Sequence, residues 1–188
     1  EQMLFVKVAT GIGAGIISGG RLHRGAQGTA GDLGHVAALH GGDTRCTCGN
    51  LGCLEAVASG PAIVRALRER GVDLQDSSDL VRLAKAGDLA AATAIRDAGR
   101  EIGHVLATCV SLLNPSVIVV GGRLAQSAES LLAGIREVVY GRSLPLATGD
   151  LQIVASRTAG HAGVIGAATM VVQHVLSVEQ VEHQLAAA

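Results

Sequence analysis

The order of apolar and polar positions sets out a mixed α/β chain. Leu4 to Ala9 is a mostly apolar run and predicts a first strand. Thr10 to Ile17 sets glycines between apolar residues, which predicts a glycine-rich turn leading into a second strand. Arg21 to Ala30 reads as a glycine-bearing connection, and His35 to Leu39 as a third strand. Leu54 to Ala58 predicts a short helix. Ser59 then caps another, with Pro61 in its first turn. In that helix Ile63, Val64 and Leu67 form an apolar stripe, with Arg65, Arg68, Glu69 and Arg70 on a solvated face. Ser77 or Ser78 is the expected cap of a helix over Asp79 to Ala86 that ends at Gly87.

Asp88 caps a long alanine-rich helix that runs to Leu113. There Ile95, Ile102, Val105, Leu106, Val110 and Leu113 recur at helical spacing, so it is the expected buried central helix. His104 within it reads as an ordinary helix histidine, and Asn114-Pro115 stops the helix. The continuous apolar run Val117 to Val120 predicts an interior strand, followed by Gly121-Gly122 and a helix over Ala128 to Tyr140, an order expected to place backbone amides at a helix start. Leu151 to Ala155 is the last expected strand. Ala162 to Val175 predicts a helix rich in Gly and Ala, suited to packing on the sheet, and Val178 to Ala188 a terminal helix.

Composition narrows the picture. A chain of 188 residues has room for one domain with a sizeable core. It is 48% hydrophobic yet has one Phe and one Tyr, so that core must be built from Ala, Val, Leu and Ile. The net charge of -1, with no basic run and no aromatic platform, argues against nucleic-acid binding by this chain itself. The longest apolar stretches, Ile102 to Leu113 and Val164 to Val172, are too short to span a bilayer, and no secretory leader pattern is present. The expectation is a cytoplasmic protein with reduced thiols.

Chemistry concentrates between Gly31 and Glu55. His35, Cys46, Cys48 and Cys53 are four metal-ligand types in one glycine-rich segment, and four N/S donors are what a closed tetrahedral zinc site requires. Such a loop has little apolar surface to bury, so a metal would replace a local core. The alternatives are a chance grouping or a disulfide, which needs an oxidising compartment. Cys109 sits in an apolar run and reads as a buried small hydrophobe, outside the ligand set.

Gly31-Asp-Leu-Gly-His35 followed by Cys46-Thr-Cys-Gly-Asn-Leu-Gly-Cys-Leu-Glu55 resembles the signature of the ROK family, which groups bacterial sugar kinases with sugar-responsive transcriptional repressors. The resemblance implies an α/β, actin-like ATPase (ribonuclease H-like) fold, here its C-terminal half with an inserted zinc-binding loop. It implies a structural zinc on His35, Cys46, Cys48 and Cys53, and sugar contacts from Asp32, His35 and Glu55. One imidazole nitrogen can hold the metal while the other donates outward to a sugar hydroxyl. Without the motif, Asp32 would read as a turn residue and Glu55 as a first-turn helix carboxylate. Sugar kinases of this family usually carry Glu where this chain has Asp32. The missing methylene withdraws the carboxylate by about 1.5 Å, and Asp there resembles the repressor branch.

The resemblance also implies that Thr10 and Gly11 present backbone amides to nucleotide phosphates and that Gly121 and Gly122 lie on the adenosine side of an ATP cleft. Their plainer readings are a tight hairpin and close strand-helix packing. The first phosphate loop and the catalytic Asp of the family kinases have no match here, so residues 1-188 are not expected to act as a kinase alone. Two expectations compete: the effector half of a ROK regulator that binds a hexose or N-acetylated sugar as a homodimer, with DNA contacted by an absent N-terminal domain, or half of an ATP- and magnesium-dependent sugar kinase.

Overall fold

The computed structural model describes residues 2-178 and 180-182, divided into two units at Ser156 and Arg157. The first unit is built on a five-stranded sheet. Strands β1 (Met3–Val8) and β2 (Ile12–Ser18) form an antiparallel hairpin with Val8 opposite Ile12. Strand β3 (Arg21–His23) adds antiparallel to β2, while β4 (Val117–Gly121) runs parallel to β1 and β5 (Gln152–Ala155) parallel to β4. The order is β3-β2-β1-β4-β5.

Among the described residues the first unit has six helices, α1 (Leu54–Ala58), α2 (Gly60–Glu69), α3 (Ser77–Lys85), α4 (Leu89–Leu113), α5 (Ala128–Arg142) and α6 (Pro145–Thr148), and the second has α7 (Ala162–Val175). Leu4, Val6, Val8, Ile118, Val120 and Ile153 on one sheet face share a buried cluster with Ile95, Ile102, Leu106 and Val110 of α4 and Leu131, Ile135 and Val139 of α5. The expected central helix is therefore realised from its Asp88 cap onward, since the Asp88 side chain accepts the Ala91 N-H. Apolar burial of this kind stabilises by roughly 25 cal/mol per Å².

Where α4 and α5 cross, glycines replace the usual interlocking side chains. A Cβ on Gly134 would lie 2.1 Å from the Arg96 carbonyl oxygen, one on Gly99 2.4 Å from that of Leu131, and one on Gly103 2.8 Å from Val138 Cβ. The two backbones approach closely because nothing stands between them. Arg96 and Arg100 then bracket Glu137 at the exposed rim of the crossing.

Four local expectations need correction. The third strand is Arg21–His23, whereas His35 lies in a single 3-10 turn, Leu33–His35, and Ala37 makes only an isolated bridge to Cys53. The missed signal was Gly19-Gly20, both at positive φ, which form a two-residue hairpin turn between Ser18 and its partner Arg21. Helix α3 begins at Ser77 because Asp76, and neither serine, is its cap. A 3-10 turn, Leu124–Ser127, separates Gly121-Gly122 from α5, so the paired glycines do not open a helix directly. Nor is the α2 arginine face merely solvated: Arg65 donates to the Ala56 carbonyl, and Arg68 to those of Leu74 and Gln75.

The Asp76 cap yields a pH prediction. The N-H groups of Asp79 and Ser78 hold its carboxyl below the usual carboxylate range. A folded value below the unfolded one means that the cap contributes fully above the ordinary carboxylate pKa and is lost as pH falls through the lowered value. Asp76→Ala is expected to lower the urea midpoint at pH 7 and to narrow the gap between pH 7 and pH 3; an unchanged gap would remove Asp76 from the acid response.

In the second unit no residue of α7 is buried. Most of the terminal helix expected over 178-188 lies outside the described residues. Among those described, no helix is long and apolar enough to cross a membrane.

Candidate metal centre and its flanking carboxylates

The candidate metal loop hangs between the 3-10 turn and α1, closed by backbone bonds from Ala38 N-H to the Gly52 carbonyl and from Leu54 N-H to that of Val36. Inside it, the Cys46 and Gly52 N-H groups bond to the carbonyls of Asn50 and Thr44, and the Gly49 N-H bonds to that of Cys46. Gly49 and Gly52 sit at φ 95° and 68°, values open to glycine and costly for other residues. These turns fold the three cysteines back onto His35.

The four candidate donor atoms all lie within 4.8 Å of one another. Cys46 Sγ stands 3.6 Å from His35 Nδ1, and Cys48 Sγ stands 3.6 Å from Cys53 Sγ. A tetrahedral zinc with bonds of about 2.3 Å to sulfur and 2.0 to 2.1 Å to nitrogen has S···S edges of about 3.8 Å and S···N edges of about 3.6 Å. Both the donor set and the spacing thus fit zinc. All four cysteines are free, and Cys109 is buried in α4 away from the cluster.

Charge follows the same geometry. The Cys48 N-H draws the Cys46 thiol down to about 7, while burial pushes Cys53 up to about 12. The hydrogen bond with Cys46 raises His35, and the negative fields of Asp32 and Glu55 add to the effect. His35 therefore faces the thiols through Nδ1 and leaves Nε2 for a second partner, with both carboxylates close enough to act on the ring.

Glu55, the second residue of α1, is half-buried. Its Oε2 accepts the Ile12 N-H at 3.0 Å. Asp32 is exposed and borders an open cleft of about 420 Å³ lined by Phe5, Lys7, Gly13, Gly15 and Thr29. Phe5, Lys7 and Thr29 were missed from sequence. The available signal was the alternation of β1, which buries Leu4, Val6 and Val8 and turns Phe5 and Lys7 to the opposite face.

Thr10 is exposed at the β1-β2 turn, and Gly11 packs against Glu55: a Cβ there would lie 2.4 Å from Oε2. Gly121 and Gly122 lie at the end of β4, beside the end of β1. A Cβ on Gly121 would meet the Phe5 ring at 2.6 Å, and one on Gly122, at φ 92°, would meet the Val8 carbonyl oxygen at 2.4 Å. Close packing thus accounts for both glycines.

A second polar cluster adjoins the loop. Glu101 of α4 accepts from both the backbone N-H and the ring Nδ1 of His40, and the His104 ring stands 6.1 Å from that of His40.

Comparison with known proteins places these features in context. The model of the ROK family matches residues 1-174. The chain is 34% identical to the DNA-binding transcriptional dual regulator NagC of Escherichia coli K12, over 98% of this chain and 47% of the relative. It is 32% identical to a glucokinase of Thermotoga maritima, over 93% of this chain and 59% of the relative. The crystal structure of a ROK family glucokinase from Streptomyces griseus in complex with glucose and AMPPNP superimposes with a TM-score of 0.79 at 31% identity, covering 90% of this chain and 60% of the other. The chain spans about half the length of the curated relatives it matches.

Proposed function

The chain belongs to the ROK family, and we propose that it is the sugar-sensing effector region of a transcriptional regulator of that family, stabilised by zinc. In this reading residues 1-188 form the C-terminal effector domain, acting as a cytoplasmic homodimer whose DNA-binding segment lies outside residues 1-188. His35, Cys46, Cys48 and Cys53 hold the ion, which supplies a rigid anchor for the loop. Asp32 and Glu55 accept hydroxyls of a hexose or N-acetylated hexose, and His35 donates to another through Nε2.

The observation that carries the proposal is the joint placement of His35: Nδ1 lies on the thiol cluster, and two carboxylates act on the same ring. Sugar changes DNA occupancy only if it binds one conformation of the dimer better than the other. The Asp at position 32, shorter than the Glu usual in the kinases, supports the regulator over the enzyme. Calorimetric titration with glucose, N-acetylglucosamine and other hexoses is expected to give saturable heats, weakened at least tenfold by Glu55→Ala. Equal heats from wild type and variant would take Glu55 out of the site.

Half of an ATP-dependent sugar kinase is the second reading, supported by the Thr10-Gly11 hairpin and the likeness to the glucose- and AMPPNP-bound glucokinase. There Thr10, Gly11, Gly121 and Gly122 contact nucleotide. Saturable binding of magnesium AMPPNP, abolished by changes at Thr10, would favour it; sugar heats without nucleotide heats favour the regulator.

A further inference from the structure

Strand β3 pairs with β2 only from Ile16 to Ser18, which leaves the hairpin end of β2 as an open edge. Two groups from the 31-55 segment complete that edge. The Gly31 carbonyl accepts the Ala14 N-H at 2.7 Å, and the Glu55 carboxylate accepts the Ile12 N-H at 3.0 Å. The fold leaves room for this carboxylate on two sides. A Cβ on Gly11 would come within 2.4 Å of Oε2, and one on Gly34 within 3.4 Å of it and 2.3 Å of the Ile12 carbonyl oxygen. The remaining oxygen, Oε1, has no protein donor among the described residues. A carboxylate with one oxygen fixed by a backbone amide has little rotational freedom left at its end, so its second oxygen points in one direction.

We propose that the Ile12 backbone amide is the positioning group of the sugar site, fixing Oε2 of Glu55 so that Oε1 is aimed at a ligand hydroxyl. This rests on the sugar reading of Glu55. It joins two features that sequence reasoning kept apart, the glycine hairpin and the metal loop, into one unit. It has a second consequence: while Glu55 holds the Ile12 amide, that amide cannot serve a nucleotide phosphate, and the carboxylate beside it repels one.

Two measurements test the proposal. Amide hydrogen exchange at Ile12, followed by NMR, is expected to speed up at least tenfold in Glu55→Ala and to stay slow in Glu55→Gln, whose side-chain carbonyl can still accept the bond. Exchange within twofold of wild type in Glu55→Ala would overturn the tie. Calorimetry with N-acetylglucosamine and glucose is expected to show at least a tenfold loss of affinity in Gly11→Ala, where the new methyl displaces Oε2, with zinc content unchanged. Unchanged affinity would overturn the proposal, and so would loss of zinc together with affinity, because the hairpin would then be supporting the whole loop. If wild type takes up no hexose, the sugar reading fails by itself, and the exchange measurement still decides whether Ile12 holds Glu55.

Discussion

Replacing Cys48 with alanine is expected to strip the protein of zinc and to disorder the loop from Gly41 to Gly52. Cys48 is exposed, and its thiol stands 3.6 Å from that of Cys53. If the cluster were an ordinary group of thiols, truncating such a side chain would change stability by no more than about 0.5 kcal/mol. If the four donors hold an ion, the same substitution opens the site, and the loop loses what stands in for its core. Structural zinc in small finger domains contributes about 10 to 16 kcal/mol of apparent binding free energy, so losing even a fraction of such a term here means several kcal/mol. Elemental analysis should fall from about one zinc per chain to near none, thermal unfolding should begin well below that of wild type, and a chelator should reproduce both effects. A Cys48→Ala protein with wild-type melting would end the structural role of the site.

The second large effect is expected at the α4-α5 crossing. Gly134→Ala would normally favour a helix, since glycine costs about 1 kcal/mol relative to alanine in a helix interior. Here the added methyl would lie 2.1 Å from the Arg96 carbonyl oxygen and 2.9 Å from the Arg100 amide nitrogen, both backbone atoms that no rotamer change can move aside. The helices must separate, loosening Ile95, Ile102, Leu131 and Ile135 behind them. Overpacking of this kind costs roughly 1 to 3 kcal/mol, more than the propensity gain. Urea denaturation should therefore show a net loss of up to about 2 kcal/mol. A stabilised Gly134→Ala protein would mean that the crossing is looser than these distances require. The effects of Gly99→Ala and Gly134→Ala should fall short of additivity, because one separation relieves both clashes.

The long elements were legible because their signals are local. The helical recurrence from Ile95 to Val110, the Ser59 and Asp88 caps and the apolar run before Gly121 each state their own structure within a few residues. The candidate donor cluster was legible for a similar reason: cysteines at 46, 48 and 53 are close in sequence, and His35 stood inside a motif. What could not be read depended on partners far along the chain. His35 to Leu39 has the composition of a strand but no edge to pair with, since β3 and the Glu55 carboxylate complete the edge of β2. The Ile12 to Glu55 bond spans 43 residues, and no spacing rule announces it. The α4-α5 glycines were equally silent, because a glycine in a helical pattern reads as a weak spot until its neighbour is seen.

His40 adds a mechanical consequence. One carboxylate, that of Glu101, grips both its backbone and its ring, five residues past the first candidate donor, His35. The loop is therefore moored to the long helix at a point that involves no ion. When the ion departs, fraying should run outward from the cysteine turns and halt at this mooring. The stretch between His35 and His40 would then stay with the rest of the domain, keeping the imidazole beside Glu55 while the cysteine turns loosen.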